Sequence, residues 1–119
     1  MKAIVVDDSR AIRVILKRLL AELGIETAGE AAHGKEALAR LAEIGAVDLA
    51  LVDWNMPEMN GYDLLKSLRG RGHGVPFGFV TSEGTQEMRS KAQAAGALFL
   101  VEKPFTPESF KDALTPVLG

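Results

Sequence analysis

Cysteine is absent from the 119 residues, which excludes disulfide frameworks, Cys-ligated zinc and thiol catalysis. A basic excess is also missing. Fourteen Lys and Arg stand against sixteen Asp and Glu, a formal charge of −2, so nothing favours non-specific nucleic-acid binding. No apolar run approaches the ~20 residues needed to span a bilayer, and the first apolar stretch is too short for a signal peptide. Linkers, repeats and low-complexity segments are lacking as well. What is present, 47% hydrophobic and 25% charged residues, is ordinary globular composition. The expectation is one soluble, cytoplasmic domain over residues 1–119, with no room for a second.

Four short apolar runs punctuate the chain: Ile4-Val5-Val6, Leu49-Ala50-Leu51-Val52, Phe77-Gly78-Phe79-Val80 and Leu98-Phe99-Leu100-Val101. Each is continuous rather than alternating, as expected of strands buried on both faces of a parallel sheet. Residues 25–31 mix Glu26, Thr27 and Glu30 with small side chains and read as an edge strand. Helical patterns lie between. Ile12, Ile15, Leu16, Leu19 and Leu23 form one stripe, with Arg13, Lys17, Arg18 and Glu22 opposite and Gly24 as the stop. Ala37, Leu38 and Leu41 form a second stripe ending near Gly45, and Leu64, Leu65 and Leu68 a third after Gly61. Residues 86–95 have only Met88 as a large apolar residue, which predicts a lightly held helix. The last helix has Thr106 as N-cap and Pro107 at its first position, with Pro116 distorting its final turn. Strand and helix alternate five times. That pattern is an α/β fold: a doubly wound parallel sheet with five helices on both faces.

In such sheets ligands bind beyond the carboxyl ends of the strands. Asp7 and Asp8 follow the first run, Asp53 the next strong one, Thr81 and Ser82 the third, and Glu102, Lys103 and Pro104 the last. Singly, each has an ordinary reading: Asp8 or Ser9 as a helix cap, Asp53 as a turn-former before Pro57, Thr81 as a capping hydroxyl, Lys103-Pro104 as a surface turn. Together they change the chemistry. Three acids at one site repel, and one lysine cannot balance them, so the site must take up a proton or bind a cation. Oxygen-only ligands that leave room for water and phosphate oxygens suit Mg²⁺. Such a site can hold a phosphoryl group, and an Asp within it can act as nucleophile.

The order of these pieces resembles the response-regulator receiver family over essentially the whole chain. They are Asp7-Asp8, Asp53-Trp54-Asn55-Met56-Pro57 with Gly61, Val80-Thr81-Ser82-Glu83, Ala95-Gly96-Ala97 and Lys103-Pro104-Phe105-Thr106. The resemblance implies a flavodoxin-like sheet of order 2-1-3-4-5, for which chemotaxis members of this family are a standard example. It also implies roles. Asp53 would be the phosphoacceptor, and Asp8, Asp53 and the Asn55 carbonyl would ligate Mg²⁺, with Asp7 acting through a metal-bound water. Lys103 would pair with a phosphoryl oxygen, and its bond to Pro104 would be cis. Thr81 and the Ser82 region would hydrogen-bond the phosphoryl group, while Asn55 and Glu83 would tune its lifetime. One position departs from the family. Leu100 stands three residues before the lysine, where a Tyr or Phe is usual, and Phe99 should point to the opposite face of its strand.

The function so implied is a phosphorylation-activated switch in chemotaxis-type two-component signalling. A sensor histidine kinase donates to Asp53, and the domain then binds a downstream protein such as a flagellar-motor switch protein or a histidine phosphotransferase. An alternative within the family is a phosphorelay intermediate that passes its phosphoryl group to a histidine phosphotransferase. A turnover enzyme fits less well. Asp-nucleophile phosphatases carry a second Asp two positions after the first, where this chain has Asp7-Asp8-Ser9-Arg10 and no cap segment. A nucleotide-binding domain would need a glycine-rich turn where Asp7-Asp8 stand. His33 and His73 lack partners at zinc-ligand spacing.

Overall fold

A computed structural model describes residues 1–118. The elements are β1 (Lys2–Val6), α1 (Arg10–Glu22), β2 (Glu26–Ala31), α2 (Gly34–Ile44), β3 (Leu49–Asp53) and α3 (Gly61–Gly70). They continue with β4 (Phe77–Thr81), α4 (Gln86–Ala94), β5 (Phe99–Glu102), α5 (Pro107–Ala113) and α6 (Thr115–Leu118). All strand pairs are parallel, and the order is β2-β1-β3-β4-β5. The expected doubly wound fold is therefore present.

The apolar runs are continuous because the central strands meet helices on both sides. Ala3, Val5, Leu49, Leu51 and Val80 pack with Leu16, Leu19 and Leu20 of α1 and with Phe110 of α5. Ile4, Val6, Ala50, Val52, Phe77 and Phe79 pack with α2, α3 and α4 on the other face. Five helix starts are capped by side chains, from Ser9, His33, Asn60, Thr85 and Thr106. Those bonds satisfy backbone donors that a helix start leaves free.

Three expectations need correction. The run ending in β5 is not buried on both faces. Leu98 is 47% exposed, and Phe99 and Leu100 are only half-buried. The cause is topological: β5 is an edge strand paired to β4 alone, and α4 buries only Ala92. Ile15 does not belong to the buried face of α1, since it is 45% exposed while Leu20 is fully buried. At 3.6 residues per turn the two flank the stripe at roughly 70° on opposite sides, and only Leu20's flank turns onto the sheet. Finally, the last helix divides. It ends at a cap on Leu114, and Pro116, having no N–H, cannot continue the ladder. Val117 and Leu118 instead donate to the Leu114 carbonyl, at 2.9 and 3.0 Å, which starts α6. Among the described residues the helices therefore number six, of which five have seven residues or more.

The half-buried Phe99 has a dedicated seat. Its ring lies over Gly78, the residue beside it on β4, where any Cβ would overlap the ring. Leu100 points to the opposite face, toward the α2–α4 side.

Candidate functional site

Parallel strands end together, and backbone bonds tie their carboxyl ends into one rim. The Asp7 N–H donates to the Ala31 carbonyl at 3.1 Å, Trp54 N–H to Val80 at 2.9 Å and Lys103 N–H to Thr81 at 2.7 Å. Asp53 is the last residue of β3 and Thr81 the last of β4, while Asp7 and Lys103 directly follow β1 and the end of β5. Gly61 lets α3 start against this rim: its N–H donates to the Trp54 carbonyl at 2.9 Å, and a Cβ there would press on the Asp53 backbone.

The side chains converge as expected. One carboxylate oxygen from each of Asp7, Asp8 and Asp53 lies within 4.8 Å of the others. Asp7 is completely buried, Asp53 is 5% exposed and Asp8 is open to water. Lys103 Nζ is 3.4 Å from Asp7 Oδ2 and 3.6 Å from Asp53 Oδ1. Asp7 Oδ1 also accepts the Ser9 N–H at 2.9 Å. Helix capping falls to Ser9, whose Oγ accepts the Ile12 N–H at 3.3 Å, so Asp8 is not spent as a cap.

The Asp53 carboxyl is pushed up to about 6. Burial is the main cause and the Asp7 charge the next. Lys103 and the Asn55 backbone oppose the shift, and Asp8 adds slightly to it. A buried anion beside two like charges and one cation is short of positive charge. The all-oxygen donor set, open on the Asp8 side, has the chemistry that Mg²⁺ prefers.

Thr81 is fully buried. Its Oγ1 accepts the Glu83 N–H at 3.1 Å, a turn at the start of the loop, while the cap of α4 is Thr85. Ser82, Glu83 and Asn55 are exposed at the mouth of the site. The Lys103–Pro104 peptide is cis. Trp54 turns away from the acids to stack on Tyr62, with centroids 5.4 Å apart and planes 9° apart, and to touch Phe79. Glu102 stands apart from the cluster, accepting the Gly84 N–H at 3.0 Å. His33 accepts the Glu36 N–H and His73 the Val75 N–H, so both have local structural work.

Sequence reasoning passed over two residues. Arg13 reads as part of the polar face of α1 and Glu30 as a wet edge residue. In the fold, Arg13 Nη1 donates to the Asp7 carbonyl at 2.6 Å, and its Nε donates to Glu30 Oε1 at 3.1 Å. No local pattern announces a contact that depends on β2 lying beside β1.

Known proteins share this sequence pattern and this fold. The family described as response regulator receiver domain matches residues 3–115. The chain is 43% identical to chemotaxis protein CheY1 of Helicobacter pylori, covering all of this chain and 98% of that protein. It is 42% identical to the chemotaxis protein CheY homolog of Campylobacter jejuni, covering all of this chain and 93% of the relative. The solved structure of chemotaxis protein CheY4 of Vibrio cholerae superposes with a TM-score of 0.86 at 34% identity, over 98% of this chain and 97% of that one. This chain belongs to the response regulator receiver domain family.

Proposed function

We propose that the chain acts as one receiver unit that is phosphorylated on Asp53 and thereby switches its binding to another protein. The observation that carries this reading is the convergence of Asp7, Asp8 and Asp53 within 4.8 Å, with Lys103 Nζ beside two of them.

The donor is a phosphohistidine on a sensor kinase. An Asp53 carboxylate oxygen attacks phosphorus, forming the P–O bond as the P–N bond breaks, and the imidazole nitrogen leaves with the electron pair and takes up a proton. Lys103 neutralises charge on the phosphoryl oxygens. Asp8, Asp53 and the Asn55 carbonyl would hold Mg²⁺, with Asp7 behind them. That ion supplies the positive charge which lets phosphoryl oxygens approach three carboxylates. Ser82 lies at the mouth to donate to a phosphoryl oxygen, and Asn55 and Glu83 flank the path of the water that ends the modified state. Thr81 reaches the phosphoryl group by giving up the hydrogen bond its hydroxyl donates to the Glu83 carbonyl, and the loop before α4 follows. The protein is a switch whose two states are biased by one covalent group, not a turnover enzyme.

The similarity to chemotaxis proteins supports a place in chemotaxis-type two-component signalling, in the cytoplasm. The downstream partner is then a flagellar-motor switch protein or a histidine phosphotransferase. Acetyl phosphate with Mg²⁺ should add one phosphate by intact-mass analysis. Asp53→Asn, or excess chelator, should abolish the addition. Equal labelling of Asp53→Asn would overturn the assignment.

A further inference from the structure

Arg13 reaches from α1 to the backbone of the acid pair. Its side chain is only 16% exposed, low for an arginine on the polar face of α1. One arm of the guanidinium holds the Asp7 carbonyl at 2.6 Å and another holds Glu30 Oε1 at 3.1 Å. Glu30 is itself fixed, since Oε2 accepts from Lys17 Nζ at 2.8 Å. The Lys17 hydrogen bond and, after it, the one from Arg13 hold the Glu30 carboxyl below the usual range against the opposing effect of burial. The planar fork of arginine suits such a two-point grip, which a lysine ammonium cannot reproduce in the same geometry.

The result is a residue, Asp7, held at three points. The Asp7 N–H is bonded to Ala31, its carboxylate to the Ser9 N–H and its carbonyl to Arg13. Only the carbonyl held by Arg13 belongs to the Asp7–Asp8 peptide, and Asp8 has no side-chain hydrogen bond or ion pair among the described residues. With no side-chain partner of its own, its placement beside Asp53 depends on the backbone that carries it. We propose that Arg13, oriented by Glu30, is a positioning residue that fixes the Asp7–Asp8 peptide and so aims the Asp8 carboxylate at the cation position beside Asp53. The inference rests on the cation-binding reading of the acid cluster given above.

Charge and position predict opposite signs, which makes the test decisive. Were Arg13 only a nearby cation, removing it would tighten Mg²⁺ binding by relieving repulsion. If it positions Asp8, removing it weakens binding, as loss of an outer partner of a metal ligand commonly does by about tenfold. Calorimetric titration of the full chain with MgCl₂ should show Arg13→Ala and Arg13→Lys both weakened about tenfold, although the second keeps the charge. Glu30→Ala should weaken binding by about threefold, whereas Glu30→Gln, whose amide oxygen still accepts from Nε, should stay within about twofold of the parent. The Arg13→Ala/Glu30→Ala pair should bind no worse than Arg13→Ala alone, because Glu30 acts through Arg13. Metal-free amide exchange over residues 7–10 should quicken in Arg13→Ala and Arg13→Lys, with β3 and β4 unchanged.

Parental or tighter binding in Arg13→Ala, full recovery in Arg13→Lys, or additive effects in the pair would each overturn the positioning role. A parent that binds no Mg²⁺, or an Asp8→Ala variant that binds like the parent, would overturn the reading of the site and this inference with it. A parent that binds while Arg13→Ala is unaffected overturns the inference alone.

Discussion

Phe99 lies with its ring over Gly78, one strand away, and the glycine's missing Cβ is the space the ring occupies. The pair anchors β5, an edge strand that α4 barely covers, against the face formed by α1 and α5. It also decides which way the next residue points. With Phe99 on that face, Leu100 faces the α2–α4 side, where movement of the Thr81 loop would be felt.

Gly78→Ala should therefore destabilise the fold, although alanine generally suits a strand better than glycine. Overpacking of this kind costs about 1–3 kcal/mol. Urea unfolding should show that loss in the parent and little of it in a Phe99→Ala background, where the clashing ring is gone. Equal losses in both backgrounds would detach the effect from Phe99.

Leu100→Tyr should strengthen coupling between the site and the β5 face. Leucine buries less area than a ring, so on area grounds the same Thr81 movement favours the modified state by ~1 kcal/mol less. That shift changes a two-state population several-fold. Amide exchange over residues 81–97, with and without beryllofluoride, should show a larger response in Leu100→Tyr at a similar phosphorylation rate. A full response in the parent that tyrosine does not enlarge would show that Leu100 is no handicap.

The raised Asp53 carboxyl gives a stability signature in chelator-treated protein. Its folded value is about 6 against an ordinary 3.8, so between those values the folded state binds more protons than the unfolded one. The resulting stability is complete below about pH 4 and is lost as pH rises through about 6. The difference is at most about 3 kcal/mol. Asp53→Asn should be more stable than the parent at pH 7, by that order, and the gap should close toward pH 4. Comparing the pair cancels the opposite contribution of Glu30, whose lowered carboxyl loses stability as pH falls. Added Mg²⁺ should narrow the gap at pH 7, and a gap independent of pH would contradict the shift.

Much of this site was legible because its residues sit at strand ends, where short apolar runs meet acids, a hydroxyl and a lysine. Asp7, Asp8, Asp53, Thr81 and Lys103 all fall where alternating strands and helices put them. Ser9, Thr106 and Pro107 were equally readable, because capping is a local preference. Other features depend on which strands become neighbours. The four-residue run at β5 looks like a central strand until the order leaves it at the edge. Glu30 meets Arg13 only because it pairs beside Val5 in the β1–β2 register, and a bulge at Ala3/Ile4 sets that register. Ile15 and Leu20 are equivalent by periodicity, and only the packed sheet tells them apart.

Phosphotransfer should leave the phosphoryl group on the Asp53 carboxylate. Borohydride reduction after treatment with acetyl phosphate and Mg²⁺ converts an acyl phosphate to the alcohol, which peptide mass mapping can place. Reduction should appear at position 53 alone and be absent without Mg²⁺. Reduction at Asp7 or Asp8, or a borohydride-resistant phosphate ester on Thr81 or Ser82, would contradict it.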